Sequence, residues 1–328
     1  ITCGAVKSVV AVGVDSMSNV PLLFRKRFGE KLLKLSKAKT AGQKLSGIAK
    51  FRPSDFAPLI GLKLGLTDPV SDLMMGDTAE KLAREYGISR EDQDQFAVWS
   101  HAKTVEAWKE GRLSDETMTL YPQPKSEALE QDIGPRDGQS MEALGKMKPY
   151  FDRKWGTVTV GNSCGVTDGA AALLLMEADY ADSLGLHPIG RIRSTEFAGC
   201  DPSRMGLGPV YSSAKALKSA GMTMDDIDLV ELNEAFAAQV LACLKGFESP
   251  PEDCVDSDAA SRLRPIDEDK LNVNGGAIAI GHPVGATGAR LILTLLGELG
   301  RRDQNVGLAT LCIGGGQGGA AIVERTAA

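Results

Sequence analysis

The sequence predicts an α/β fold in which helices cover a mixed sheet. Beyond Trp155, short β-branched or apolar runs alternate with longer stretches of helical period. Across 328 residues, a hydrophobic share of 43% supplies a full core, and a charged share of 24% supplies the surface. No apolar run approaches the ~18–20 residues of a membrane span. At roughly 150 residues per domain, the length fits about two domains, or one large unit with an insertion.

The elements follow in chain order. Residues 7–14 (KSVVAVGV) read as a short buried strand bounded by glycine. Between Arg25 and Arg52 the chain carries ten Lys or Arg against the single acid Glu30. Leu22, Leu23, Phe24, Phe28, Leu32, Leu33 and Leu35 make 22–36 a basic amphipathic helix. Such a helix suits a membrane surface, a partner protein or a polyanionic ligand, or it is a solvated helix with one face in the core. Residues 53–69 read as a Pro/Gly-punctuated loop. Helices are expected at 78–86, capped by Asp77-Thr78, and at 90–110, opened by a capping box at Ser89-Arg90-Glu91-Asp92. Phe96, Trp99, Thr104, Val105 and Trp108 form the apolar side of the second, and 111–150 is polar and turn-rich. TVTV (157–160) and AALLLM (171–176) read as strands around a glycine-bounded loop at 161–169. Strand 189–197, helix 210–220, strand 227–232, helix 234–246, helix 285–299 and strands 306–311 and 320–324 complete the run.

Composition excludes several functions. A net charge of −6 argues against a dedicated nucleic-acid binder. The six cysteines are far apart, with no CxxC or Cys/His cluster, so they read as reduced thiols with no disulfide framework and no metal site.

Four segments carry unusual chemistry: the 161–169 loop, Asn233-Glu234-Ala235-Phe236-Ala237, the run from Asn274 to Arg290, and Leu311 to Gly319. His282 is boxed between Gly281 and Pro283 at a helix start, where small residues allow close approach, so it reads as catalytic. His101 and His187 lack such a setting and read as structural or surface residues. Cys312 ends a strand and enters a glycine-rich turn, where backbone dipoles and an imidazole tune a thiol and glycine amides form an oxyanion site. Cys200, Cys243 and Cys254 read instead as small buried hydrophobes. Gly314-x-Gly316-x-x-Gly319 matches a dinucleotide pattern but is followed only by a strand and a tail, so no nicotinamide cofactor is implied.

Together these segments resemble the thiolase family over the whole chain. The resemblance rests on VAVGVDSMSN (10–19), on MGDTAE, ISREDQDQFA and SH within 75–101, and on LNEAFAAQ, GGAIAIGHPVGATGAR and LCIGGGQG. KAKTAGQKLSGIAKFRPSDFAP further resembles the β-subunit type of fatty-acid-oxidation complexes, although such subunits often carry histidine where Asn233 stands here. Cys-x-Gly at 312–314 favours thiolases over ketoacyl synthases, which share the fold. The resemblance implies a five-layered α-β-α-β-α sandwich of two similar halves. By it, 1–21 is a remnant of the first half, 22–150 an inserted loop domain, 151–188 the end of the first half and 189–328 the second half.

The activity it implies is CoA-dependent cleavage of 3-ketoacyl-CoA to acetyl-CoA and a shortened acyl-CoA, or the reverse Claisen condensation. CoA is then a substrate, and no cofactor is required. His282 would activate the nucleophile, Cys312 would move the α-proton, Asn233 would hold a water near the enolate, and the Gly314 amide would serve an oxyanion hole. Cys164, where serine is common, would line the acyl-CoA channel with Gly165, Ala235 and Phe236. The family's nucleophile is expected shortly before Ile1, since Cys3 leaves no room for a helix before the first strand. The first half is therefore expected to be truncated. The alternatives are an acyl-CoA binder without a nucleophile and a structural subunit of a β-oxidation complex. Implied partners are a second copy or a dimer of dimers and a hydratase/dehydrogenase subunit, with peripheral membrane contact through the basic helix. The implied compartment is a bacterial cytoplasm or a mitochondrial matrix.

Overall fold

The computed structural model describes residues 1–122, 127–253 and 257–326; Cys254 lies outside them. Six strands frame the fold: β1 (Ser8–Asp15), β2 (Gly169–Met176), β3 (Gly190–Gly199), β4 (Leu229–Leu232), β5 (Val306–Ile313) and β6 (Gln317–Arg325). The principal helices are α1 (Lys26–Ser36), α2 (Ala41–Ile48), α3 (Met75–Glu85), α4 (Arg90–Lys109), α5 (Gly208–Ala220), α6 (Ala237–Glu248) and α7 (Val284–Arg301).

The main sheet has the order β3-β6-β5-β4, with β4 and β5 parallel and the other pairs antiparallel. It is therefore mixed, as expected. Alternation along β5 sends successive side chains to opposite faces. Leu308 and Cys312 join the cluster holding Val210, Ala214 and Leu217 of α5. Ala309 and Val323 pack instead with Leu291, Leu295 and Leu299 of α7. The sheet thus lies between α5 and α7. On the far side of α7, β1 and β2 form an antiparallel pair that packs on the same helix. A Cβ on Gly13 of β1 would sit 1.9 Å from the carbonyl oxygen of Gly285, so only glycine permits this approach. Asp15 locks the contact by accepting from the Gly285 amide at 2.5 Å.

Several expectations need correction. The strand 7–14 is not buried throughout: Val10, Val12 and Val14 are more than 60% exposed, because only the alternate residues face α7. TVTV at 157–160 forms no strand. Its amides are drawn to side chains instead of a ladder. Thr157 and Val158 donate to the buried carboxylate of Glu80, and Thr159 donates to Asn162 Oδ1 at 2.8 Å. The helix expected at 78–86 begins at Met75, where Asp77 reaches back to the Met74 amide. The helix expected at 234–246 begins only at Ala237, because Phe236 is extended and bridges to Ser163. The Ser89–Asp92 capping box forms as expected.

The basic segment folds as α1 and α2, neither of which has a buried residue. Leu22 and Leu23 leave the helix to pair with Leu59 and Ile60, and Gly61–Gly65 forms a short helix inside the expected loop. The pair is held by an aromatic cluster of Phe24, Phe28, Phe51 and Phe56 and by Asp55, which takes Lys31 at 2.5 Å and Arg27 at 3.4 Å. The expected alternative of one helix face in the main core is therefore not met. Leu32, Leu33, Leu45 and Ile48 stay exposed among the lysines.

Candidate active site

The site is assembled where the loops at 161–169, 233–236 and 272–283 converge behind the carboxyl end of β4. Glu234 is the keystone. It is fully buried, accepts from Ser100 Oγ at 2.6 Å, Asn272 Nδ2 at 2.8 Å and the Ile278 amide at 3.2 Å, and so ties α4 to two of the loops. Burial pushes its carboxyl pKa up, while these donors pull it down. Gly276 passes so close that a Cβ there would stand 2.5 Å from the Glu234 carboxyl carbon. The 161–169 loop is fastened by backbone bonds from Cys164 to the Ala235 carbonyl at 3.0 Å and from Ala237 to the Asn162 carbonyl at 2.9 Å.

Into this frame comes His282. Gly281 adopts φ +100°, and a Cβ there would lie 2.2 Å from Thr167 Oγ1, so the turn requires glycine twice over. The same hydroxyl receives the His282 amide at 3.2 Å. Pro283 caps α7 rather than occupying its first turn. The imidazole Nδ1 lies 2.6 Å from Thr287 Oγ1, and Nε2 lies 3.3 Å from Asn233 Nδ2. Desolvation, reinforced by the nearby Arg290 guanidinium, lowers the His282 pKa to about 4, so the ring is neutral at pH 7 and one of its nitrogens is unprotonated. Asn233 is fully buried, and its Oδ1 has no protein partner among the described residues. Arg290 itself is held by the buried carboxylate of Glu231 at 3.0 Å.

Cys312 is buried at the end of β5. Desolvation, with Cys164 nearby, pushes its thiol up to about 12, so it rests protonated. Burial raises Cys164 to about 12 as well. Phe236 is buried and meets Phe151 edge-on at 6.0 Å, and Ala235 is buried beside it. Gly165 and Gly314 are exposed. Gly314 lies against Met75, and no described contact joins it to His282 or Asn233. His101 is buried in α4, structural as expected, while His187 is exposed. Cys243 is buried and Cys200 half-buried. Cys3 is exposed in the turn before β1, and no described hydrogen bond joins a cysteine sulfur to His282. The residues that sequence reasoning did not single out are Thr167, Thr287, Glu234 as a keystone, and its donors Ser100 and Asn272. Thr167, Thr287, Ser100 and Glu234 lie inside the quoted segments but their roles do not show there, because Thr167 and Glu234 find their partners far along the chain; Asn272 lies outside those segments.

Residues 1–179 match the thiolase N-terminal domain, and 186–325 match the thiolase C-terminal domain. The chain belongs to the thiolase family. It is 43% identical over 327 residues to the 3-ketoacyl-CoA thiolase of Pectobacterium carotovorum, covering 99% of this chain and 74% of that protein. Human mitochondrial 3-ketoacyl-CoA thiolase, solved in complex with CoA, superposes with a TM-score of 0.82 at 34% identity over 99% of this chain and 72% of that one. Acetyl-CoA acetyltransferase from Syntrophomonas wolfei superposes with a TM-score of 0.84 at 33% identity, covering 100% of this chain and 74% of that one. The fold is the thiolase fold, and the chain spans about three quarters of the length of these relatives.

Proposed function

We propose that this thiolase-family chain catalyses CoA-dependent cleavage of 3-ketoacyl-CoA, and the reverse condensation, in fatty-acid metabolism. The observation that carries the proposal is the half-buried His282, its ring fixed between Thr287 at Nδ1 and Asn233 at Nε2. A base of that kind takes the proton from a thiol. In the second half-reaction the thiol is that of CoA, which attacks the acyl thioester; the carrier thiolate leaves, takes the proton back from His282, and the shortened acyl-CoA is released. In the first, a thiolate attacks the 3-keto carbon, the C2–C3 bond breaks, and its electrons pass to C2 as the acetyl-CoA enolate. Cys312, protonated at rest, gives its proton to C2 and is reprotonated by the His282 imidazolium that took the nucleophile's proton; condensation runs these transfers in reverse. Asn233 holds a water that helps stabilise the enolate, the Gly314 amide serves the oxyanion hole, and Cys164, Gly165, Ala235 and Phe236 border the acyl-CoA channel. The test is CoA-dependent conversion of a 3-ketoacyl-CoA to acetyl-CoA, with peptide mapping of the cysteine acylated by acetyl-CoA. Turnover lost in His282→Ala supports the proposal. Saturable acyl-CoA binding without turnover or acylation overturns it in favour of a binding protein.

The same proposal extends to assembly as a dimer or dimer of dimers, in a bacterial cytoplasm or a mitochondrial matrix. The exposed lysines and leucines of α1 and α2 favour docking to a hydratase/dehydrogenase subunit or an anionic membrane. Association that salt does not weaken would exclude that surface as the contact.

A further inference from the structure

Thr287 lies in the first turn of α7 and is 1% exposed. Its Oγ1 stands 2.8 Å from the carbonyl oxygen of Pro283 and 2.6 Å from His282 Nδ1. A hydroxyl has one hydrogen and two lone pairs, and a carbonyl oxygen only accepts. The contact with Pro283 is therefore a hydrogen bond only if Thr287 donates it. The lone pairs of Oγ1 then face Nδ1, which must carry the ring's proton. Bonding of a threonine hydroxyl to the carbonyl four residues back is a common helical arrangement, and the β-branch restricts the alternatives. The deduction does not depend on which way the Asn233 amide is turned.

We propose that Thr287 is the positioning residue that holds His282 in the Nδ1–H tautomer, so that the unprotonated Nε2, on the Asn233 side of the ring, is the atom that takes a proton. The catalytic consequence rests on His282 being the base, but the tautomer is observable without turnover. The molecule also supplies a reference. His101 Nδ1 accepts from the Arg136 amide at 3.2 Å, so its proton sits on Nε2, the reverse arrangement. Only three histidines are present, and the third, His187, is exposed.

The experiment is a long-range proton–nitrogen correlation spectrum of the whole chain labelled with nitrogen-15 histidine at neutral pH, with assignment by single substitutions. His282 is expected to show a protonated Nδ1 and an unprotonated Nε2, and His101 the opposite. Thr287→Val is expected to give a mixture of tautomers at His282 and Thr287→Ser to restore the single form. In thiolysis, Thr287→Val is expected to lower kcat about tenfold or more with KM little changed, and Thr287→Ser to recover most of the loss. A wild-type His282 protonated on Nε2 overturns the inference, whatever the variants do. So does Thr287→Val with unchanged tautomer and kcat. Full thiolysis in His282→Ala would instead remove the base reading and leave the tautomer result standing, so the two failures are separable.

Discussion

Glu234→Gln changes one atom type and tests how the site is held. The carboxylate faces three donors and no acceptor: Ser100 Oγ, Asn272 Nδ2 and the Ile278 amide. Ser100 can turn its hydroxyl, but the other two cannot adapt. Asn272 is pinned because its Oδ1 accepts from the Leu232 amide at 2.8 Å and its Nδ2 donates to the Leu232 carbonyl at 2.9 Å. The Ile278 donor is backbone. Wherever glutamine places its amide nitrogen, it meets one of these fixed donors and leaves it unpaired. A buried donor left unpaired costs about 1–3 kcal/mol, which is the expected loss for Glu234→Gln. Glu234→Ala strands all three donors. Relief of the carboxylate's own desolvation offsets part of that cost, so about 3–5 kcal/mol is expected. The assay is urea unfolding followed by far-UV circular dichroism, read from the midpoint at constant slope. Both variants lying within about 0.5 kcal/mol of wild type would refute the keystone role, as would alanine proving milder than glutamine.

Acid should weaken the fold through its buried histidines. His101 and His282 have pKa values lowered from 6.5 to about 4, so below pH 6.5 the unfolded chain binds protons that the folded one refuses. The histidines' contribution is therefore fully present above pH 6.5 and declines as pH falls toward 4, while burial raises the Glu231 and Glu234 carboxyls and acts in the opposite sense; a His101→Gln variant whose urea midpoint changes between about pH 7 and 5 just as wild type does would contradict the histidine contribution. Gly281→Ala places a side chain at φ +100° and against Thr167, and should cost about 1–3 kcal/mol while displacing His282; wild-type stability and kcat together would count against it. Cys312→Ser should fold normally yet lose about 10²–10⁴ in kcat, because a hydroxyl is a far poorer proton shuttle than a thiol. Near-native turnover would remove Cys312 from the chemistry.

What could be read in advance tracks the range of the forces involved. The strands of the main sheet and the helices flanking it carried their period in local sequence, and α4 carried its cap at Ser89–Asp92. His282 and Asn233 stood out in short motifs and prove to be neighbours. The failures came where a distant side chain overrides local preference. TVTV has strand-forming residues, yet Glu80 captures its amides from α3. The stretch Glu234–Phe236 has helical composition, yet Glu234 is claimed by donors at positions 100, 272 and 278, and Phe236 by a bridge to Ser163. Likewise, the valines of β1 looked like core, but a strand shows which of its faces is covered only once its neighbours are placed.

Helix α7 bears the main sheet on one side and the β1–β2 pair on the other, with Gly13 and Asp15 seated against Gly285 at its start. It is a party wall. A chain cut between β2 and β3 would leave one fragment with a β-pair lacking its support and another with a helix lacking half its cover. The two pieces should therefore recover native structure only when mixed. Substitutions on β1 far from any substrate should also be felt at the imidazole, since the helix that β1 braces is the one carrying Thr287.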